Sequence, residues 1–369
     1  MASSTAASND ALLSKVKQIQ ALLSLCNQTL TSPLPTTTSS LPAEDAPHPL
    51  HALRDAAKLL HAHATKIGLL LINDPFTPSA IQKEFIACEG QCIPGMLGAV
   101  EVCHPALWTI TVAKEARLRV EAAVGALGLL LLDVKSKAEG GSAKIDPNKR
   151  KEKTLVSTGQ VWQACDAIIA LDQQGIAGVV TKKAQEYREM LKDAIEELKE
   201  WGEDEDDQDE GFVGSDDDGD NDSMEDMFSG SRLPAHRKDL KELLEQALKK
   251  LKLVDMLFQA LLKRRLKTIL ISEQLHDTKR KESISRLGDL VGRLQDISES
   301  VDEFANSLYE LNAESAQSQL DRVLENATQT ASLMDKSWDG QEDEFTSWSS
   351  KWKEAVVKKT DGTGKNKVS

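Results

Sequence analysis

Between Gly202 and Ser231 the chain carries 14 acidic residues and no Lys or Arg, a run that no folded core can absorb. Like charges at that density repel one another, and too few apolar residues lie among them to offset the cost of ordering the backbone. The 369-residue chain has a net charge of −14, so the residues outside this window are neutral in sum. Residues 202–233 are therefore expected to be a disordered acidic linker with a folded region on each side.

On both sides the apolar residues recur at spacings of three and four, the mark of amphipathic helices. Leu12, Val16, Ile19, Leu23, Cys26 and Leu30 make one face, and Leu50, Leu53, Ala57, Leu60, Ala64, Ile67 and Leu71 a second. Asn73-Asp74-Pro75 stops the second helix, and Thr77-Pro78 opens a third through Ile81, Phe85, Cys88 and Cys92. Pro94-Gly95 should kink or interrupt it. A long helix follows from Pro105 to about Val134, in which Gly125 and Gly128 mark either a close helix contact or a weak point. Lys135 to Lys153 reads as a polar loop, followed by helices over about 155–171 and 180–201.

Beyond the acidic run, Leu240, Leu244, Ala247, Leu251, Val254, Phe258 and Leu261 keep a strict four-three spacing. Leu243, Leu248, Leu257 and Leu262 widen that stripe beyond a two-stranded coiled coil, so it must face several neighbours. Three more helices follow, the last marked by Phe345, Trp348, Trp352 and Val356. Valine- or isoleucine-rich alternation, which strands need, is absent from the sequence. The expected fold is all-α. A bundle of five or six helices spans residues 1–201, a four-helix bundle spans residues 234–358, and residues 359–369 form a disordered tail.

The sequence is poor in catalytic signals. It contains no glycine-rich phosphate loop, and its many carboxylates cannot be sorted into pairs, so neither an enzymatic role nor a cofactor is expected. Cys88, Cys92, Cys103 and His104 invite a zinc reading, but no C-x2-C knuckle is present and core packing accounts for them; no metal is expected. Five scattered cysteines fit reduced thiols in an intracellular compartment. The longest apolar run falls far short of the ~20 residues of a membrane helix, and the first ten residues lack the pattern of a signal peptide, so no membrane association is expected. An acidic chain argues against direct nucleic-acid binding.

Three kinds of candidate site remain. Ser215 and Ser223 precede acidic residues at the spacing an acid-directed kinase reads, which makes the chain a candidate phosphoprotein. Lys149, Arg150, Lys151 and Lys153 form a candidate nuclear-import cluster, with a solvated interhelical loop as the plain alternative. Lys263-Arg264-Arg265 and Lys279-Arg280-Lys281 read as exposed helix faces.

Two short motifs carry a family resemblance. Val161-Trp162-Gln163-Ala164-Cys165 is one, and the stretch from Asp296 through Val301-Asp302 to Leu308-Tyr309 is the other. Together with the order helical, acidic, helical, they resemble the cyclin-D-binding family, the cyclin-D-interacting or GCIP-type proteins. The resemblance implies helical bundles of the talin and vinculin type and a non-catalytic regulator of cell-cycle progression. It implies protein partners, a D-type cyclin or a helix–loop–helix transcription factor, and residence in nucleus and cytoplasm. On physical grounds Trp162 and Tyr309 read as core anchors rather than contacts. A cytoskeletal or adhesion-linked adaptor and an acidic histone-type chaperone are the alternative readings.

Overall fold

The computed structural model describes residues 2–35, 41–43, 45–140, 146–203, 205–206, 233–234, 236–269 and 278–358. These residues are overwhelmingly helical, as the periodicity requires. The only extended pairing among them joins Glu205–Asp206 to Leu233–Pro234, in parallel, at the two ends of the acidic run. Most of that run, and the tail beyond residue 358, lie outside the described residues, and so does their expected disorder.

The chain divides into two compact units, but not at the acidic run. The first comprises Met1–Val179 with Ser272–Ser285, the second Val180–Ile271 with Arg286–Ser369. The expected boundary at residue 201 is thus displaced to residue 179, and the acidic segment links two helices of the second unit. The physical reason lies in residues 180–203, whose side chains pair within that unit. Arg188 forms a fork with Asp255, Nε to Oδ1 at 2.6 Å and Nη2 to Oδ2 at 3.1 Å, and Tyr187 donates to Gln295 at 3.2 Å.

In the first unit, α1 (Ala2–Thr31) packs on α3 (Pro78–Ala87) and on α6 (Ile110–Ala138). The helix α2 (Pro49–Ile72) packs on α3, α4 (Ile93–Val102) and α6. The apolar stripes face inward: Leu12, Val16, Ile19, Leu53, Leu60, Ile67, Ile81 and Phe85 are all buried. Between α3 and α4 the helix is not broken but loosened into one π turn, Cys88–Cys92, closed by a bond from the Ile93 amide to the Cys88 carbonyl. The expected interruption near Pro94 takes this form because proline has no amide to continue the ladder.

A short turn, α5 (Pro105–Trp108), leads into α6. A Cβ on Gly125 would meet nothing within 4 Å, and one on Gly128 would lie 3.9 Å from Leu23, so neither glycine is required by a close approach. The close approach is at Gly68 instead, where a Cβ would lie 2.6 Å from Oγ1 of the buried Thr158.

The helix α7 (Pro147–Glu203) is two helices joined at Gly175, whose φ of 58° and ψ of −169° lie in a region open essentially to glycine alone. Space is not the constraint there, since a Cβ would meet nothing within 4 Å. Gly175→Ala is therefore expected to cost about 1–3 kcal/mol from backbone strain alone. Thermal unfolding of the variant measures it, and an unchanged midpoint would mean the joint relaxes freely.

In the second unit, α8 (Lys238–Arg264), α10 (Ala313–Leu333) and α11 (Glu344–Val357) pack pairwise on one another. Residues 286–309 of α9 (Thr278–Tyr309) bury Leu287, Leu294, Ile297, Val301, Phe304 and Leu308. The wide stripe of α8 is accounted for, with both Leu240, Leu244, Leu251, Phe258 and the flanking Leu243, Leu257, Leu262 buried. Trp352 is buried and donates its indole N–H to the Leu253 carbonyl at 2.8 Å, which satisfies the one polar atom of that large ring.

Two arginines expected on exposed faces are in fact buried. Arg265, only 1 % exposed, ends α8. Arg280, 5 % exposed, lies in the first unit, donates to the Leu107 carbonyl at 3.1 Å and covers the Trp108 ring at 5.0 Å. A planar guanidinium can stack on a ring and fork onto carbonyls, so it enters a core that would reject lysine.

Candidate functional site

The residues carrying the family resemblance fall into two places, one in each unit. In the first, Trp162 and Cys165 sit one turn apart on α7. Cys165 is fully buried, and burial pushes its thiol up to about 12. Trp162 is half-buried: its indole N–H donates to Oγ1 of Thr65 at 2.9 Å, and its ring stacks on His61 with centroids 5.5 Å apart. It ties α7 to α2 and is a packing residue with one exposed edge.

In the second unit, Val301 and Leu308 are fully buried core residues of α9, while Asp302 and Tyr309 reach the surface. Tyr309 donates its hydroxyl to Glu197 at 3.0 Å and meets the Trp201 ring edge-on at 5.4 Å. Burial and then the Glu197 carboxylate raise its phenol well above the ordinary range. Asp302 is raised too, by desolvation first and then by the charges of Glu197 and Glu299. Tyr309, Trp201, Glu197, Glu299 and Asp302 thus make an acidic surface with an aromatic edge, built from α7 and α9. The aromatic rings supply apolar area, and the three carboxylates give the patch a negative field.

The basic cluster is not in a loop. Lys149, Arg150, Lys151 and Lys153 stand on the first turns of α7, because the helix begins at Pro147. Proline fits that first position, which loses no hydrogen bond by lacking an amide. Lys153 is spent on the buried Asp133, 2.8 Å away, which also accepts from Ser157 at 2.7 Å. Ser215 and Ser223 lie outside the described residues.

The cysteines are core. All five are free and buried. Cys103 is pushed up to about 12 by desolvation, and His104 is buried with its Nδ1 accepting the Ala106 amide at 3.2 Å. The four residues of the zinc reading do not come together as ligands.

One cluster was passed over in the sequence. His48 caps α2, its Nδ1 accepting the His51 amide at 3.3 Å. The two imidazole rings stack with centroids 3.9 Å apart, and Nε2 of His51 lies 3.6 Å from Oδ1 of Asp172 on α7. The other carboxylate oxygen of Asp172 accepts from Arg54 at 3.0 Å. Burial, with the charges of His51 and Arg280, lowers His48 below the usual imidazole range. The signal available in the sequence was His-x2-His at the head of a helix; Asp172, far along the chain, carried none.

The described residues define an all-helical chain. Residues 52–204 match the model of the Grap2 and cyclin-D-interacting family, N-terminal region, so this part of the chain is similar to the GCIP-type proteins. An uncharacterized protein of Schizosaccharomyces pombe is 26 % identical over 315 residues, which cover 85 % of this chain and 86 % of that protein. Of the described residues, no helix is long and apolar enough to cross a membrane.

Proposed function

We propose that this chain is a non-catalytic, protein-binding regulator of cell-cycle progression that engages a D-type cyclin through the surface of its helical bundles, in nucleus and cytoplasm. The observation that carries the reading is the match of residues 52–204 to the Grap2 and cyclin-D-interacting family. The acidic, aromatic-edged surface around Tyr309 supports it, since it offers a partner both ring area and charge. Calorimetry with the purified full chain and a purified D-type cyclin tests it. Saturable binding at micromolar concentrations, weakened in a Tyr309→Ala variant that still folds, is the expected result. No heat of binding, alone or with the cyclin's kinase partner present, sinks the reading.

A further inference from the structure

We propose that His48, His51 and Asp172 form a binding site for a divalent zinc-class cation in the first unit. Each residue offers one ligand atom, and these atoms all lie within 4.8 Å of one another. Two imidazoles and one carboxylate are a donor set suited to zinc, and three protein ligands leave one position of a tetrahedral ion open.

The supporting geometry is already ordered. Both histidines stand at the head of α2, one as its cap and one in its first turn, so their separation is fixed by the helix start. Asp172 comes from α7 with a side chain only 10 % exposed, and its Oδ2 is held by Arg54. That leaves Oδ1 turned toward His51, 3.6 Å from its Nε2. A partner that fixes a ligating carboxylate through its second oxygen is what metal sites use to orient their ligands. Arg54 is itself shared with Asp55 at 2.8 Å, so two carboxylates flank one guanidinium and the added positive charge is partly offset.

Two changes accompany loading. Ligand atoms around a tetrahedral zinc ion stand about 3.3 Å apart at bond lengths of about 2.0–2.1 Å, so the cluster contracts. The ion must also lie near the plane of each imidazole, whereas the rings now stack at 21° to one another. They splay by side-chain rotation, free for the exposed His51 but at the expense of the edge-on contact that His48 makes with the buried Trp108 ring, 4.6 Å between centroids. A neutral imidazole that ligates through one nitrogen keeps its proton on the other, so His48 gives up its bond to the His51 amide. That bond is long and exposed. Cation binding is thereby coupled to the first turn of α2.

The test uses the full chain without a histidine tag, stripped with a chelator and titrated with cobalt(II) as the spectroscopic stand-in for zinc. The expected result is one equivalent bound with visible d–d bands of nitrogen-containing tetrahedral or five-coordinate geometry, bleached by zinc. His51→Gln and Asp172→Asn should each weaken binding at least tenfold. His48→Asn should do the same while keeping a good helix cap, so its circular dichroism stays that of the parent. Zinc should also speed amide exchange at His51. A parent without d–d bands overturns the proposal. So does cobalt binding that survives unchanged in all three variants, which would place the ion on the carboxylates of the acidic segment.

Discussion

Replacing Arg265 with alanine is expected to destabilise the second unit by about 2–5 kcal/mol, from the carbonyls it leaves without a donor and the cavity it opens rather than from Asp343, whose side chain is 37 % exposed. Its guanidinium joins three helix ends. It donates to the Met334 carbonyl at 2.8 Å and the Asp335 carbonyl at 3.0 Å, just past α10. It also forks onto Asp343, the cap of α11, at 2.7 and 2.9 Å, and stacks over the Phe345 ring at 4.3 Å. Alanine leaves two carbonyls without that donor and a cavity behind. Lysine keeps the charge but has no fork and no flat face, so Arg265→Lys should recover only part of the loss. Urea unfolding gives the magnitude, and hydrogen exchange should show the loss in α8, α10 and α11 together. Unchanged stability of Arg265→Ala would mean that water replaces all of these bonds at no cost.

The same residue sets a pH dependence. Asp343 is lowered to about 2, first by its hydrogen bond from Arg265, with the amides of Thr346 and Phe345 adding to it and desolvation opposing. A carboxyl lowered in the folded state contributes stability that is complete above its unfolded value of about 4. That contribution is lost as pH falls from there toward 2. Arg265→Ala should flatten this part of the acid-unfolding curve, and Asp239, lowered by Arg237, serves as a surface control.

Phe85→Ala should cost the first unit a comparable amount, about 3–5 kcal/mol. Phe85 is fully buried on α3, which packs against both α1 and α2, so the ring's loss opens a cavity in the core of this unit. Phe85→Leu should retain most of the stability, because it restores apolar volume. Trp108 and Trp162 report on this unit, and Trp201, Trp338, Trp348 and Trp352 on the second, which allows the two effects to be followed separately by single-tryptophan fluorescence. A small loss for Phe85→Ala would show that the helices close over the gap.

What the sequence made legible was whatever depends on local spacing. Leu12 to Leu30 and Leu240 to Leu261 give their faces directly, because a helix returns every third or fourth residue to one side. Arg265 was invisible for the converse reason. Nothing in Lys263-Arg264-Arg265 distinguishes the exposed Arg264 from its buried neighbour, since the burial is created by Asp343 and by the end of α10, far along the chain. The shift of the unit boundary has the same origin. Charge density marks an interruption in the apolar periodicity, but it does not say which helices pack together on either side. Arg188 with Asp255, and Tyr187 with Gln295, decide that, and neither pairing has a local signature. Both Tyr309 and Trp162 read as core anchors in the sequence; Trp162 spends its one polar atom on Thr65 of α2, whereas Tyr309 bonds Glu197 at the surface with its hydroxyl.

The acidic run was first a separator, and the chain's division at Val179 and again at Ser272–Ser285 gives it a different meaning. A single cut between residues 207 and 232 would not yield two domains. The amino-terminal piece would carry residues 180–206 of the second unit, and the carboxy-terminal piece would carry residues 272–285 of the first. Each half on its own is an incomplete protein, and each contains a part that only the other can complete. Expressed apart, the halves are fragments for complementation rather than independent modules. A partner surface mapped on either half alone would include faces that the whole molecule keeps covered.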